Sequence, residues 1–169
     1  MNADASETFA LFYKDHRGPV FRALLAGTLN RAAAEDATAE AFARAFVHWE
    51  AVAIHPSPRA WVLRVAWNYY TSSWRAWEGR WVADPPAPAA PTPELGVDPD
   101  VVRAIRALPR GQRRVLVLVA FAELTPAEVA EVLGRAHGTV RGQLSRARAA
   151  LRRALGDGSG PERPEARDG

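Results

Sequence analysis

Cysteine is absent from the 169 residues of this chain. Disulfide bonds and thiolate metal sites are therefore excluded, and folding has no need of an oxidising compartment. A reducing cytoplasm suits such a chain, so we expect a cytoplasmic protein.

Long apolar runs are missing as well. No segment approaches the roughly 20 apolar residues that cross a bilayer, and the N-terminal stretch MNADASETF lacks the basic and then apolar order of a signal peptide. We therefore expect no membrane insertion.

The residue patterns that are typical of enzymes are also missing. We find no pairing of a nucleophile with a base, no metal-ligand spacing and no glycine loop for a phosphate. His48 has no second candidate ligand nearby. The sequence favours a protein that is not an enzyme and that has no metal, no cofactor and no small-molecule substrate.

Strand signals are weak throughout, whereas helical periodicity is strong, so we predict an all-α fold. A first helix is predicted over residues 6–27, with Phe9, Phe12, Val20 and Leu24 facing inward.

A second helix is predicted from Ala32 to Trp49, with Phe42, Phe46 and Trp49 on its buried face. The opposite face carries a polar stripe at every fourth position, formed by Asp36, Glu40, Arg44 and His48. Taken alone, this stripe is best explained by compensation of the helix dipole and by a pair between Glu40 and Arg44.

A third helix is predicted over PRAWVLRVAWNYYTSSWRAW, where tryptophans alternate with arginines. Such a mixture is typical of base stacking, but helical angles place most of the aromatic residues together on one side, which favours a core role. That side contains Leu63, Trp67, Tyr70, Trp74 and Trp77. The opposite polar stripe is the better candidate for nucleic acid, and it contains Arg64, Asn68, Thr71, Arg75 and Glu78.

Composition divides the chain into two small helical domains. Residues 83–97, ADPPAPAAPTPELGV, are dominated by Pro and Ala and predict an extended, semi-rigid linker. The predicted domains are residues 1–82 and 98–156, and the polar tail 157–169 is predicted to be disordered. Residues 101–155 carry 11 basic and 3 acidic side chains, so we expect the second domain to bind a polyanion.

A helix-turn-helix is predicted near the C-terminus. Thr125 and Glu128 form the capping-box pattern of a helix start, and Gly134 is typical of a helix end. Ala130 offers a small residue where two helices cross, and Val140 offers an apolar residue that locks the second helix onto the first.

The second helix of this motif lies within GTVRGQLSRARAALRRAL, residues 138–155, which contains five arginines. Helical spacing predicts a buried stripe of Val140, Leu144, Ala147, Leu151 and Leu155. The outward side carries Arg141, Gly142, Ser145, Arg146 and Ala149, and the charge is extended by Arg148, Arg152 and Arg153. Charge alone fits a solvated helix equally well, but the capping box, the turn and the basic face together favour DNA binding.

Four segments, in this order, resemble the extracytoplasmic-function (ECF) sigma factors of bacterial RNA polymerase. They are AEDATAEAFARAF, PRAWVLRVAWNYYTSSWR, ALPRGQRRVLVLVAFAELTPAEVAEVLG and GTVRGQLSRARAALR, with the Pro-rich linker between the second and the third. The helix endings VHW and SWR and the near-exclusive use of Arg over Lys resemble an actinobacterial group of that family.

The resemblance implies partners and residue roles. Residues 1–82 would form a sigma-2-like domain that binds core RNA polymerase and opens the minus-ten element. Residues 98–156 would form a sigma-4-like domain that reads the minus-thirty-five element of promoter DNA. An anti-sigma factor is a further partner that the resemblance allows. By the same match, Asp36 and Glu40 form the polymerase-docking surface, and Phe42 supports it.

The resemblance also assigns residues to DNA. In the third helix Asn68 and Arg75 match the family, next to Arg64, whereas Ser72 stands where many members have Asp. In the recognition helix the matching positions are Thr139, Arg141, Ser145 and Arg146, and Arg148 lies beside them. Gly142 and Gln143 stand where many relatives have Ser and Arg. Gly142 thus suggests close backbone approach to DNA, with a neutral surface glycine as the alternative.

A second hypothesis is a free-standing helix-turn-helix regulator that binds duplex DNA without polymerase. Such a protein needs a dimerisation or ligand-binding domain. The first half of this chain offers an acidic docking stripe instead.

Overall fold

The computed structural model describes residues 3–78 and 92–156, and every regular element in these two ranges is a helix. The all-α prediction is confirmed. The helices are α1 (Ala3–Thr28), α2 (Arg31–Val47), α3 (Trp49–Ala53), α4 (Pro58–Glu78), α5 (Thr92–Leu95), α6 (Pro99–Ala107), α7 (Arg110–Ala120), α8 (Pro126–Leu133) and α9 (His137–Leu155). The predicted disordered tail and most of the predicted linker lie outside the described residues.

Helices α1 to α4 form an N-terminal unit in which α2 packs between α1 and α4. The face of α2 toward its neighbours is built from fully buried alanines, namely Ala34, Ala37, Ala41 and Ala45. Small side chains let the helix axes approach closely, and the larger groups come from the neighbours, with Leu24 on α1 and Leu63 on α4.

Helices α6 to α9 form a C-terminal unit, in which α9 packs on α6, α7 and α8. Its core contains Val115, Leu118, Val129, Val140 and Leu144, each 5% exposed or less. Three of the five positions of the predicted α9 stripe, Val140, Leu144 and Ala147, are buried there.

The two units pack against each other, with α1 on α7 and α4 on α8, and their buried residues form one continuous core. Gly27 lies at the point where α1, α4 and α7 meet. A Cβ atom on Gly27 would lie 2.5 Å from Cη2 of Trp67 and 3.2 Å from Cγ2 of Val117. A residue without a side chain is therefore needed at this junction.

Two residues that we predicted to be buried are exposed. Phe46 is 45% exposed, because it faces a groove between α1 and α2 and not the core. Leu155 is also 45% exposed, since the last turn of α9 runs past the helices on which α9 packs. The second predicted helix is moreover interrupted at His48, so that Trp49 begins the separate helix α3.

The predicted conformation is wrong for the last residues of the linker. Residues Thr92–Leu95 form the one-turn helix α5, although we predicted an extended segment through residue 97. The reason is Leu95, which is 3% exposed in the shared core and whose burial offsets the cost of ordering the turn. Glu94 of the same turn forms an ion pair with Arg31.

Candidate nucleic-acid interface and docking groove

Local capping orders the helix-turn-helix of α8 and α9. Oγ1 of Thr125 accepts a hydrogen bond from the backbone N–H of Glu128 at 3.2 Å, and the Glu128 carboxylate accepts one from the backbone N–H of Thr125 at 2.8 Å. Gly134 ends α8 with φ 61°, in the left-handed region that favours glycine. The predicted capping box and turn are both confirmed.

A side-chain hydrogen bond, which we did not predict from the sequence, stabilises the turn between α8 and α9. Nη1 of Arg135 donates to Oε1 of Gln143 at 3.0 Å, and the Gln143 amide lies against Gly111 at the start of α7. A Cβ on Gly111 would lie 2.7 Å from Nε2 of Gln143. Gln143 is thus held between the turn and α7 and does not belong to the free outward face.

The predicted DNA-facing side chains of α9 are solvent-exposed. Thr139, Arg141, Ser145, Arg146 and Arg148 are all exposed, and Gly142 is half-buried. A Cβ on Gly142 would lie 3.6 Å from Nη2 of Arg146, which is ordinary contact. Contacts within this chain therefore leave room for a small side chain at residue 142.

The outward face of α9 has two edges. Arg141 and Arg146 are five residues apart, which is about 140° around the helix axis. Arg141 lines a surface groove of about 370 Å³ beside the start of α8, together with Pro126, Leu144, Ser145, Arg148 and Arg152. Arg146 and Thr139 lie toward the other edge. The structure thus brings Arg141 and Arg148 together and separates Arg146 from them.

The polar stripe of α4 is partly exposed among the side chains that the structure describes. Arg64 and Asn68 are exposed, Thr71 is half-buried, and Trp67 on the opposite side is 3% exposed. Core placement is therefore confirmed for Trp67. Arg75 lies within α4, but its side chain is outside the described part of the chain, as are those of Trp74 and Trp77.

The three predicted docking residues of α2 do not share one surface. Asp36 is exposed, and Glu40 is half-buried and accepts a hydrogen bond from Nε of Arg44 at 2.6 Å. The expected Glu40–Arg44 pair is therefore present. Phe42 is 3% exposed and lines the neighbouring groove between α1 and α2, so it supports this region from below.

Sequence reasoning missed that groove, which has a volume of about 710 Å³. Its walls are aromatic, and its rim is charged. The lining residues include Phe9, Tyr13, Arg17, Phe21, Arg31, Glu35, Phe42 and Phe46. The rings pack edge to face: the centroids of Phe9 and Phe46 are 5.0 Å apart, and those of Tyr13 and Phe42 are 5.1 Å apart. The sequence pattern that could have predicted this groove is the row of Phe9, Tyr13 and Arg17, spaced every four residues on α1.

Within the described residues, no group of His, Asp and Glu side chains is arranged to hold a metal ion. None of the helices described is long and apolar enough to cross a membrane.

Comparison with known families gives two matches along the chain. Residues 12–80 match the model of Sigma-70 region 2, and residues 100–151 match the model of Sigma-70, region 4. The first match covers α4 and most of α1, and the second covers the helix-turn-helix.

Curated relatives match both parts together. The chain is 31% identical over 142 residues to the ECF RNA polymerase sigma factor SigW of Bacillus subtilis, covering 73% of this chain and 76% of the relative. It is 33% identical over 126 residues to the RNA polymerase sigma-E factor of Streptomyces antibioticus, covering 72% and 70% of the two chains.

Solved structures share the fold. The sigma factor RpoE, solved in complex with the anti-sigma factor NepR from Bartonella quintana, superposes with a TM-score of 0.70 at 18% identity, covering 88% of this chain and 97% of that one. CnrH in complex with the cytosolic domain of CnrY gives a TM-score of 0.62 at 24% identity, covering 91% of both chains. Both likenesses include the C-terminal as well as the N-terminal helices.

Proposed function

The chain belongs to the ECF sigma factors of the sigma-70 family, and from this premise we propose how its surfaces divide the work of promoter-specific transcription initiation. The observation that carries the proposal is the joint presence of region 2 and region 4 in one chain. A factor with both binds core RNA polymerase and directs it to promoters by reading the minus-ten and minus-thirty-five elements. It acts in the cytoplasm, where polymerase and DNA are.

Helix α9 is the proposed minus-thirty-five reader. In a helix-turn-helix the N-terminal part of the second helix enters the major groove. That part of α9 presents Thr139, Arg141, Gly142, Ser145 and Arg146. Arg141 and Arg146 lie on opposite edges of the face, so we assign them to base edges at different positions of the element. Arg148 and Arg152 continue the Arg141 edge toward the C-terminus, where phosphates are the expected partners.

Helix α4 is the proposed site of strand opening. The exposed Arg64 and Asn68 offer a guanidinium and an amide on one stripe, and Arg75 follows two turns further on. This combination binds phosphate through charge and an unpaired base through hydrogen bonds.

The surface of α2 and the adjoining groove are the proposed polymerase-docking site. Asp36 supplies an exposed acidic group and Glu40 a half-buried one that is paired with Arg44, and Phe42 supports the helix beneath them. The aromatic groove beside them extends the surface with apolar area. Acidic groups beside an apolar pocket suit a basic, amphipathic partner element.

The free-standing regulator is not favoured, because region 2 occupies the half where a dimerisation or ligand domain would be needed. One binding experiment separates the two functions. Duplex promoter DNA is incubated with core polymerase alone, with this chain alone and with both, and specific retention is measured at physiological salt. A sigma factor gives specific retention only when both are present. Specific retention by the chain alone would favour the free-standing regulator.

A further inference from the structure

Gln143 lies on the edge of α9 that also carries two of the proposed minus-thirty-five residues. Thr139 precedes it by four residues and Arg146 follows it by three, so the three residues lie within about 60° around the helix axis. Gln143 belongs to the second turn of α9, which begins at His137. In a helix-turn-helix this part of the second helix enters the major groove. By its place on the helix, Gln143 is therefore a candidate for base recognition.

Both polar atoms of the Gln143 amide nevertheless face the protein. Nη1 of Arg135 donates to Oε1 at 3.0 Å, and because arginine has donors only, the amide oxygen is necessarily its partner. Nε2 lies against Gly111, where an added Cβ atom would be 2.7 Å away from it. A glutamine reads adenine with these same two atoms, since Oε1 accepts from N6 and Nε2 donates to N7. The atoms that could read a base are thus occupied within the chain.

Arg135 reaches Gln143 from a fixed backbone position. The backbone N–H of Arg135 donates to the Ala130 carbonyl oxygen at 2.9 Å, across the left-handed Gly134 that ends α8. Arg135 is half-buried, so its side chain loses little further freedom when it binds the amide. A hydrogen bond from a charged donor favours the bound amide about tenfold over the free one.

Gly111 provides the space that this contact needs. A Cβ atom on Gly111 would lie 3.3 Å from Nη1 of Arg135, in addition to its overlap with Nε2 of Gln143. Both atoms are at the ends of flexible side chains, so alanine at residue 111 would displace these side chains and leave the helices in place. Alanine is also the better helix former in the first turn of α7. Gly111→Ala should therefore release Gln143 without weakening α7.

We propose that Arg135 and Gly111 hold Gln143 out of the major groove, so that Gln143 is a base-reading residue that the unchanged chain does not use. Arg135 is then a positioning residue, which acts on sequence preference through Gln143. The other exposed side chains of α9 read the minus-thirty-five element without it. Release of Gln143 adds a preference for adenine at one further position. This inference rests on the proposed minus-thirty-five role of α9.

Selection from randomised promoter DNA tests the role of Arg135 and Gly111. The probe is a duplex promoter with a randomised minus-thirty-five element, incubated with the full chain and core polymerase, and the bound and unbound fractions are sequenced. Gly111→Ala and Arg135→Ala should each enrich an A·T pair at the same single position. The enrichment should be about fivefold or more, from the lower end of the range for a bidentate contact. Gln143→Ala alone should leave the base preferences of the unchanged chain as they are.

Gln143→Ala also supplies the matched background. Gly111→Ala and Arg135→Ala, each combined with Gln143→Ala, should give no new preference for adenine. Arg135→Ala removes a positive charge, so Arg153→Ala serves as the charge control and should weaken binding without changing the ranking of sequences. Circular dichroism and the melting temperature show whether each variant is folded. A merely structural contact would change the melting temperature but not a base preference that depends on Gln143.

Three results would overturn the proposal. One is the absence of the adenine preference from either Gly111→Ala or Arg135→Ala when that variant is folded. Another is a preference of the unchanged chain that disappears in Gln143→Ala, because Gln143 would then already read a base. The third is an adenine preference that persists in the Gln143→Ala background. The proposed function fails separately, if the unchanged chain with core polymerase enriches no minus-thirty-five sequence at all.

Discussion

Five arginines on α9 have the same charge but different positions around and along the helix. Arg141 lies one turn from the start, at the edge next to α8, and Arg146 lies at the far edge. Arg148, Arg152 and Arg153 lie in the C-terminal half of the helix, and all three are exposed. Position, and not charge, therefore sets the role that each arginine can have.

Alanine substitutions should separate these roles. Arg141→Ala and Arg146→Ala should each reduce discrimination among minus-thirty-five variants by about 1 to 3 kcal/mol, because a bidentate arginine distinguishes guanine from other bases. The two variants should lose discrimination at different base pairs. Arg148→Ala, Arg152→Ala and Arg153→Ala should weaken binding to all DNA sequences alike. Each should also reduce, by about one, the slope of the logarithm of the binding constant against the logarithm of the salt concentration.

Binding to a panel of single-base variants at two salt concentrations measures both effects. If Arg141→Ala and Arg146→Ala keep the original ranking of sequences and lose only salt-dependent affinity, the division of roles is wrong.

Glu128 should give the chain an acid-sensitive contribution to stability. Its hydrogen bond from Ser57, followed by those within the capping box, lowers the pKa of this carboxyl below its ordinary value of 4.5. A carboxyl whose pKa is lower in the folded state than in the unfolded state stabilises the fold. This stabilisation is fully present at a pH above the unfolded-state pKa, and it is lost as the pH falls through the folded-state pKa. The loss is therefore expected below about pH 4.5.

Thermal unfolding between pH 7 and pH 3.5 checks this expectation. Glu128→Gln should lower the melting temperature at pH 7, and the difference from the unchanged chain should shrink as the pH falls. The control is Glu131→Gln, an exposed carboxylate on the same helix. A difference for Glu128→Gln that stays constant with pH would show that the charged form of the carboxyl is not favoured by folding.

At the scale of single elements, α2 presents the proposed docking surface. Reversal of Asp36 and Glu40 to arginine should weaken binding to core polymerase at least about tenfold, since like charges at an interface cost several kcal/mol. The fold should persist, because neither side chain belongs to the buried set. Glu50→Arg on α3, an exposed acidic residue of the same unit, serves as the control. A pull-down in which the double variant retains full affinity would reject this surface.

Helix α4 should act after duplex binding. Asn68→Ala and Arg75→Ala should reduce promoter melting more than initial binding, because their proposed partners are unpaired bases and the separated strand. Permanganate footprinting reports unpaired thymines near the start site, and retention of duplex DNA gives the binding step. Unchanged thymine reactivity in both variants would remove this role from the stripe.

Elements with local signals were the most predictable from the sequence. Thr125, Glu128 and Gly134 define α8 because capping depends on residues only three or four positions apart. The exposed arginines of α9 followed from periodicity alone. Phe46 and Leu155 were placed wrongly, because periodicity gives the apolar face of a helix but not how far its neighbours extend over that face.

At the scale of the whole molecule, the packing of the two units was not predicted. Periodicity does not identify the partner of a buried face, and the Pro/Ala-rich composition of residues 83–97 suggested separation. A signal was nevertheless present. Residues 23–28 of α1 and residues 115–118 of α7 are buried on every side of their helices, and such runs are typical of helices packed on two sides. The 710 Å³ groove was missed for the same reason, since it forms only where α1 and α2 meet.

Transcription in vitro shows whether this chain directs polymerase to promoters. Core RNA polymerase is supplied with genomic DNA, with and without this chain, and the start sites of all transcripts are mapped. We expect a set of start sites that appear only with the chain and that share two upstream elements, centred near minus ten and minus thirty-five. A folded chain that adds no start site to those of core polymerase alone would contradict this expectation.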